Sequence, residues 1–234
     1  LFIMVDEKTT KPVVLRMLGP DLSDVAAFAK TLSKKPAEVI SWDQPPEVHV
    51  KCPRPEQVQA MIERYGDSVF AVGTMGLAEV ATGLLIASGL TVSVAESCTG
   101  GLLAQMVSSV PGVSACFKGG VVAYSNDVKS TILGVPTAMI DKYGAVSEEV
   151  VRSMASGVRR ITGTDLAVSI SGIAGPTGGS DEKPVGTVWI GWEDAAGNGA
   201  REFRFSGNRE ENRHYAAVYA LDIIRRETLR MPGR

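Results

Sequence analysis

Three stretches of this chain gather the residue types that could do chemistry. Ala95-Glu96-Ser97-Cys98-Thr99-Gly100-Gly101 sets small hydroxyl residues ahead of a Gly-Gly pair. At a helix entrance such residues let backbone N–H groups face an anion or a developing oxyanion, and Ser97 is placed there to act as a nucleophile. The same spacing suits Ser97 or Thr99 as a plain helix cap. The stretch departs from the G-x-S-x-G elbow, so an α/β-hydrolase gains no support. In Val121-Val122-Ala123-Tyr124-Ser125-Asn126-Asp127-Val128-Lys129 a strand ends at Tyr124, Ser125 or Asn126 can cap, and Lys129 falls in the opening turn of a helix. A cation there is disfavoured, which pushes lysine toward its neutral form and toward service as a base. A neutral lysine could activate serine without histidine, whereas the plain reading is a solvated lysine beside a packed tyrosine. The third stretch, Ser169 to Ser180, holds four glycines and four hydroxyl residues in twelve positions. It matches neither the Walker A nor the dinucleotide fingerprint, and it reads as a cradle for phosphate or sugar or as a flexible surface loop.

Other chemistries find little footing. His49 and Cys52 form a lone H-x-x-C, and His214 sits in a polar stretch with Asn208, Arg209 and Arg213, so neither a zinc site nor a Ser-His-Asp triad is expected. Cys98 ranks below Ser97 as nucleophile because no imidazole can take its proton. Three cysteines, Cys52, Cys98 and Cys116, cannot form a disulfide framework and read as reduced thiols of a cytosolic protein. Trp42, Trp189 and Trp192 lack basic neighbours, and the formal net charge is −2, so nucleic-acid binding is not indicated. No apolar run approaches the ~20 residues that cross a bilayer.

The elements that must position these residues follow from periodicity. The 234 residues divide by texture near Gly73. Residues 1–73 read as a small β-α-β-α unit: an apolar run at Val13–Leu18, helical spacing of Leu22, Val25, Ala26, Ala29 and Leu32, alternation over Glu47–Lys51, and a helix opened by Pro55. The strand-like Leu1–Val5 at an opening without Met suggests a fragment of something longer. Residues 74–234 alternate strands (Thr91–Ala95, Gly120–Tyr124, Asp165–Ile170, Thr187–Trp192) with helices (Gly100–Ser109, Asp127–Leu133, Ser147–Ile161, Glu210–Leu229), preceded by a helix through Leu77–Leu85. This pattern predicts an α/β domain of three layers, α/β/α, with a small α+β domain before it. In such sheets working residues gather at the carboxyl ends of strands, where all three stretches fall.

Taken together, Ala95–Gly101, Gly119–Asn126, Lys129, and Ser171-Gly172-Ile173-Ala174-Gly175-Pro176 with Gly178-Gly179 resemble the CinA C-terminal domain family. The resemblance continues through Lys183–Val188 and Ser206-Gly207-Asn208-Arg209 with Arg213, covering about Thr74 to the end. It implies a nicotinamide mononucleotide amidohydrolase that yields nicotinate mononucleotide and ammonia without metal or organic cofactor. Ser97 then looks like the nucleophile, and Tyr124 and Lys129 like the groups that activate it. Thr99, Gly100 and Gly101 are expected to supply oxyanion donors, Ser171, Gly172 and Gly175 to line the substrate, and Arg209 or Arg213 to meet its phosphate. Ser171 stands where the family commonly has Thr, and Asn208 where Asp is commoner. Residues 13–73 resemble the KH-like middle region of full-length relatives but lack a GXXG loop between the two helices, so a structural or dimer-forming spacer is expected. Those relatives carry a molybdopterin-binding-like domain upstream, linked to ADP-ribose pyrophosphatase activity, which this chain would lack. A homodimer is expected. Alternative readings are a catalytically silent nucleotide-binding module and an amidase for a different amide.

Overall fold

A computed structural model describes residues 12–32, 37–40 and 46–233, so the expected strand Leu1–Val5 and Trp42 lie outside the described residues. The chain divides into two units, Leu1–Val80 and Ala81–Arg234. The division falls a little beyond Gly73 because a helix starting at Leu77 carries the chain across it.

In the first unit the apolar runs fold as strands β1 (Val13–Leu18), β2 (Glu38–Ile40), β3 (Glu47–Cys52) and β4 (Val69–Val72), with helices α1 (Leu22–Thr31) and α2 (Pro55–Tyr65). Asp21 caps α1 by accepting the Asp24 N–H at 2.9 Å, and Pro55 opens α2 where its missing N–H has no cost. The strands pair antiparallel in the order β2-β3-β1-β4. Leu15, Met17, Val50, Val25, Val58 and Met61 form the core between sheet and helices. The sequence reading misses β2 and β4, since three residues and an unalternating Val-Phe-Ala-Val carry too little period to register.

In the second unit α3 (Leu77–Ala87) leads into β5 (Val92–Glu96), α4 (Leu102–Ser108), β6 (Phe117–Val122), α5 (Asn126–Thr131), α6 (Thr137–Tyr143), α7 (Glu148–Thr162), β7 (Leu166–Gly172), β8 (Thr187–Glu193), β9 (Asn198–Arg204) and α8 (Arg209–Arg230). The five strands form one mixed sheet in the order β6-β5-β7-β8-β9, parallel across β6-β5-β7 and antiparallel from β7 to β9. Every residue of β5 is buried, as expected of a central parallel strand covered on both faces. Helix α7 is capped by Ser147 and ended by Gly163 at φ 65°, and it buries Val150, Val151, Met154 and Val158. Each such side chain contributes about 1.5–3 kcal/mol. With Ala95 and Ala167 from β5 and β7, Val150, Met154 and Val158 form a core against the sheet. The sequence reading misses α6, which has two turns, and β9, whose only buried residue is Phe203. A polar edge strand has no hydrophobic alternation to find. No helix among the described residues is long and apolar enough to cross a membrane.

Candidate active site

Ser97 stands at the carboxyl end of β5, the middle of the three parallel strands. Its N–H donates to the Ile170 carbonyl at 2.9 Å, which extends the parallel ladder one residue beyond the Glu96/Ile170 pair and fixes the start of the turn. Gly100 and Gly101 then take φ values of 62° and 98°, left-handed conformations that a side chain would strain. The N–H of Gly100 donates back to the Ser97 carbonyl at 3.1 Å. Glu96 is 1% exposed and folds over the turn: Oε2 accepts from the Gly101 and Leu103 N–H groups at 3.0 and 3.1 Å, and Oε1 accepts from Ala104 at 2.8 Å. A carboxylate of the chain therefore occupies the positive end of α4, where an anion would otherwise bind.

This geometry corrects the expected oxyanion hole. The N–H groups of Gly100 and Gly101 are already committed, and Thr99 is fully buried. Arg213 lies behind the same turn, its Nε donating to the Cys98 carbonyl at 3.1 Å and its Nη2 to the Thr99 carbonyl at 2.7 Å. Thr99, Gly100, Gly101 and Arg213 thus build the turn that presents Ser97; none of the four lines the cavity. The N–H groups of Cys98 and Thr99 donate to no backbone carbonyl among the described residues, and of the two only Cys98 lines the cavity.

Lys129 reaches Ser97 from α5, whose cap is Ser125 accepting the Val128 N–H at 3.2 Å. The helix has six residues and Lys129 lies in its last turn, so the expected effect of a helix N-terminus on the amine gives way to another cause. Lys129 is 1% exposed, and burial pushes its pKa below the ordinary lysine value, with Cys98 acting the other way. Its Nζ lies 3.1 Å from Ser97 Oγ, 3.0 Å from the Ala123 carbonyl and 3.3 Å from the Tyr124 carbonyl. None of these partners is a carboxylate that would hold the charge. The ammonium form donates to all three oxygens; the neutral form has two N–H donors, which suffice for the two carbonyls, and a lone pair suited to the Ser97 hydroxyl proton. The Cys98 thiol, pushed up to about 12 by burial, is no rival nucleophile near neutral pH.

Tyr124 enters this arrangement through its backbone. Its phenol is 58% exposed and accepts from Arg209 Nη2 at 2.9 Å; no hydrogen bond joins the phenol to Ser97 or Lys129. The side chain of Tyr124 lines the cavity beside Ser97 and Lys129.

The cavity in front of Ser97 has a volume of about 270 Å³ and is lined by Ser97, Lys129, Ser171 and Arg209 together with Gly172 and Gly175. Ser171 is 1% exposed, and its Oγ donates to the Ala145 carbonyl at 2.7 Å. The first turns of α8 hold the glycine-rich wall: Arg209 Nη1 donates to the Gly175 carbonyl at 2.6 Å and Asn212 Nδ2 to the Ala174 carbonyl at 3.1 Å. Helix α8 can do this because Asn208 and Glu211 form a reciprocal capping box at its start. Lys183 ties the end of the same loop to the segment before α7, donating to the Tyr143 and Val146 carbonyls at 2.8 Å each. Sequence reasoning missed the roles of Glu96, Asn212 and Lys183. Glu96 had a signal, an acid one residue ahead of a Ser-x-x-Gly-Gly turn, whereas Asn212 and Lys183 act across 38 and 40 positions of sequence and had none. Among the described residues no group of three or more His, Cys, Asp or Glu could hold a metal ion.

The CinA C-terminal domain family matches residues 74–228. A CinA-like protein of Geobacter sulfurreducens is 48% identical over 167 residues, covering 71% of this chain and 40% of that protein. A putative competence-damage inducible protein of Acetivibrio thermocellus is 41% identical over 170 residues, covering 73% and 41%. The matched part of the chain thus spans about two fifths of the length of these relatives. The crystal structure of a CinA superfamily protein from Klebsiella pneumoniae aligns with TM-score 0.64 and 34% identity, covering 67% of this chain and all of that one. A competence/damage inducible protein from Agrobacterium tumefaciens aligns with TM-score 0.61 and 38% identity, covering 64% and 94%.

Proposed function

Because the chain belongs to the CinA C-terminal domain family, we propose that its second unit is a serine–lysine amidohydrolase that converts nicotinamide mononucleotide to nicotinate mononucleotide and ammonia. The observation that carries this reading is a buried lysine, free of any carboxylate partner in its hydrogen bonds, 3.1 Å from a serine hydroxyl at the carboxyl end of a buried parallel strand. The substrate class comes from the family resemblance.

In the proposed mechanism neutral Lys129 accepts the Ser97 proton as Oγ attacks the carboxamide carbon. The developing oxyanion faces the uncommitted Cys98 N–H, the place a residue after a nucleophile commonly serves. Lys129 then passes its proton to the amide nitrogen, the C–N bond breaks and ammonia leaves an ester on Ser97. Water attacks that ester, Lys129 takes the water proton and returns one to Ser97 Oγ, and the acid is released. Arg209 and the Gly172–Gly178 backbone are the groups suited to hold the ribose phosphate, since both line the cavity. Arg213, gripping the turn from behind, is assigned to positioning.

The test is release of ammonia and nicotinate mononucleotide from nicotinamide mononucleotide by the wild type beside Ser97→Ala. Turnover that is lost in the variant supports the reading. A folded wild type without turnover on this nucleotide contradicts the substrate assignment.

A further inference from the structure

The hydroxyl of Ser171 has one proton and two lone pairs, and the structure shows where the proton goes. Oγ donates to the Ala145 carbonyl at 2.7 Å, a carbonyl that can only accept, and the residue is 1% exposed. What Ser171 presents to the cavity it lines is therefore an acceptor. Ser171 is also the register neighbour of the nucleophile: Glu96 pairs with Ile170 in the parallel ladder, the Ser97 N–H donates to the Ile170 carbonyl, and the next positions are Ser97 and Ser171. Adjacent strands run about 4.8 Å apart and partners in register share a face of the sheet, so any group attacked by Ser97 Oγ lies beside Ser171 Oγ.

We propose that Ser171 is a specificity-determining residue that reads the carboxamide as a hydrogen-bond donor and rejects the carboxylate product. This rests on the amidohydrolase reading above and deepens it. A carboxamide offers two N–H donors, one of which meets the Ser171 lone pair. A carboxylate has acceptors only, so its oxygen would face that lone pair unless the Ser171 proton left Ala145 and orphaned that carbonyl. The same contact therefore favours amide over acid on entry and expels the acid after hydrolysis. Sites built around one such hydrogen bond discriminate strongly because the wrong ligand leaves a buried polar group unpaired.

The experiment measures calorimetric affinities of nicotinamide mononucleotide and nicotinate mononucleotide on the full chain carrying Ser97→Ala, which prevents turnover. The expected result is amide binding tighter than acid by about tenfold or more. Adding Ser171→Ala brings the ratio close to one by weakening the amide, and adding Ser171→Thr restores it. If Ser171→Ala weakens both ligands equally, or neither, Ser171 is only a tie to Ala145 and the inference is overturned while the amidohydrolase reading stands. If Ser97→Ala binds neither nucleotide, that reading falls and the inference with it. Should Ser171→Ala fail to fold, Ser171→Cys keeps the volume with a poor acceptor, and the same collapse of the ratio is expected.

Discussion

Glu96 carries the sharpest structural prediction, because each of its oxygens has a definite task. Oε2 accepts two N–H groups, Gly101 and Leu103, and Oε1 accepts one, Ala104. In Glu96→Gln the amide oxygen can serve one of those sets and the NH2 group must face the other, donor against donor. The best arrangement keeps the Gly101 and Leu103 bonds and loses Ala104. One hydrogen bond to a charged group is worth about 1.5–3 kcal/mol, and removing a negative charge from a helix N-terminus costs about 0.3–1 kcal/mol more. The expected destabilisation is about 2–4 kcal/mol. For a unit of this size it lowers the melting temperature by about 5–15 °C. Differential scanning calorimetry of Glu96→Gln beside the wild type measures it, with the exposed Glu182→Gln as a control expected to change nothing. Turnover should fall as well, because the Gly100–Gly101 turn that presents Ser97 loses its clamp. A Glu96→Gln protein melting within 1 °C of the wild type would refute the reasoning that this carboxylate holds the turn.

Other perturbations test the remaining parts. Lys129 is held below the ordinary lysine value of 10.5 by burial, so kcat/KM should rise with pH through that lowered pKa, and Lys129→Met should abolish the rise along with turnover. The folded state releases a proton there that the unfolded state keeps up to 10.5, so stability rises with pH across that window. Chemical denaturation should accordingly find Lys129→Met gaining on the wild type at neutral pH, with the gap closing toward pH 10.5. Arg209→Ala should raise KM for the nucleotide at least tenfold, whereas Arg213→Ala should lower kcat with KM little changed, because one faces the cavity and the other the back of the turn. Tyr124→Phe should retain turnover within about fivefold, since among the described residues the lost hydroxyl bonds Arg209 alone and a part-exposed bond is worth about 1 kcal/mol or less; a loss of a hundredfold in steady-state rate would assign the phenol to proton handling.

Much of this site was legible because it lies where strand meets helix. Ser97, Lys129 and the glycine loop each follow a strand whose apolar run marks its end, and open α/β sheets collect function there. The pairing of Ser97 with Lys129 needed only the idea that, without a usable histidine, a lysine must serve. The cause of the lysine's shift was misread, because the expected helix, Asp127–Leu133, was nearly the right length, while the burial of Lys129 arises from tertiary packing that the local pattern does not carry. Assigning Thr99, Gly100 and Gly101 to the ligand failed for a different reason: free N–H donors at a helix entrance invite an anion from anywhere, and the acid just ahead of the turn, Glu96, was not read as the group that folds back onto Gly101, Leu103 and Ala104. Arg209 and Arg213 are four residues apart on one helix and looked interchangeable in sequence. Only the packed structure separates them, one bonded to Gly175 and Tyr124, the other to Cys98 and Thr99.

The central claim is that Ser97, activated by Lys129, carries the substrate as an ester, and trapping that ester tests it most directly. Rapid acid quench of the enzyme with excess nicotinamide mononucleotide, followed by intact-mass and peptide analysis, should find the nicotinate mononucleotide acyl adduct on the peptide bearing Ser97. The adduct should be absent from Ser97→Ala and from Lys129→Met. Turnover without any adduct on this peptide at the earliest quench times, or an adduct that persists in Lys129→Met, would contradict the account.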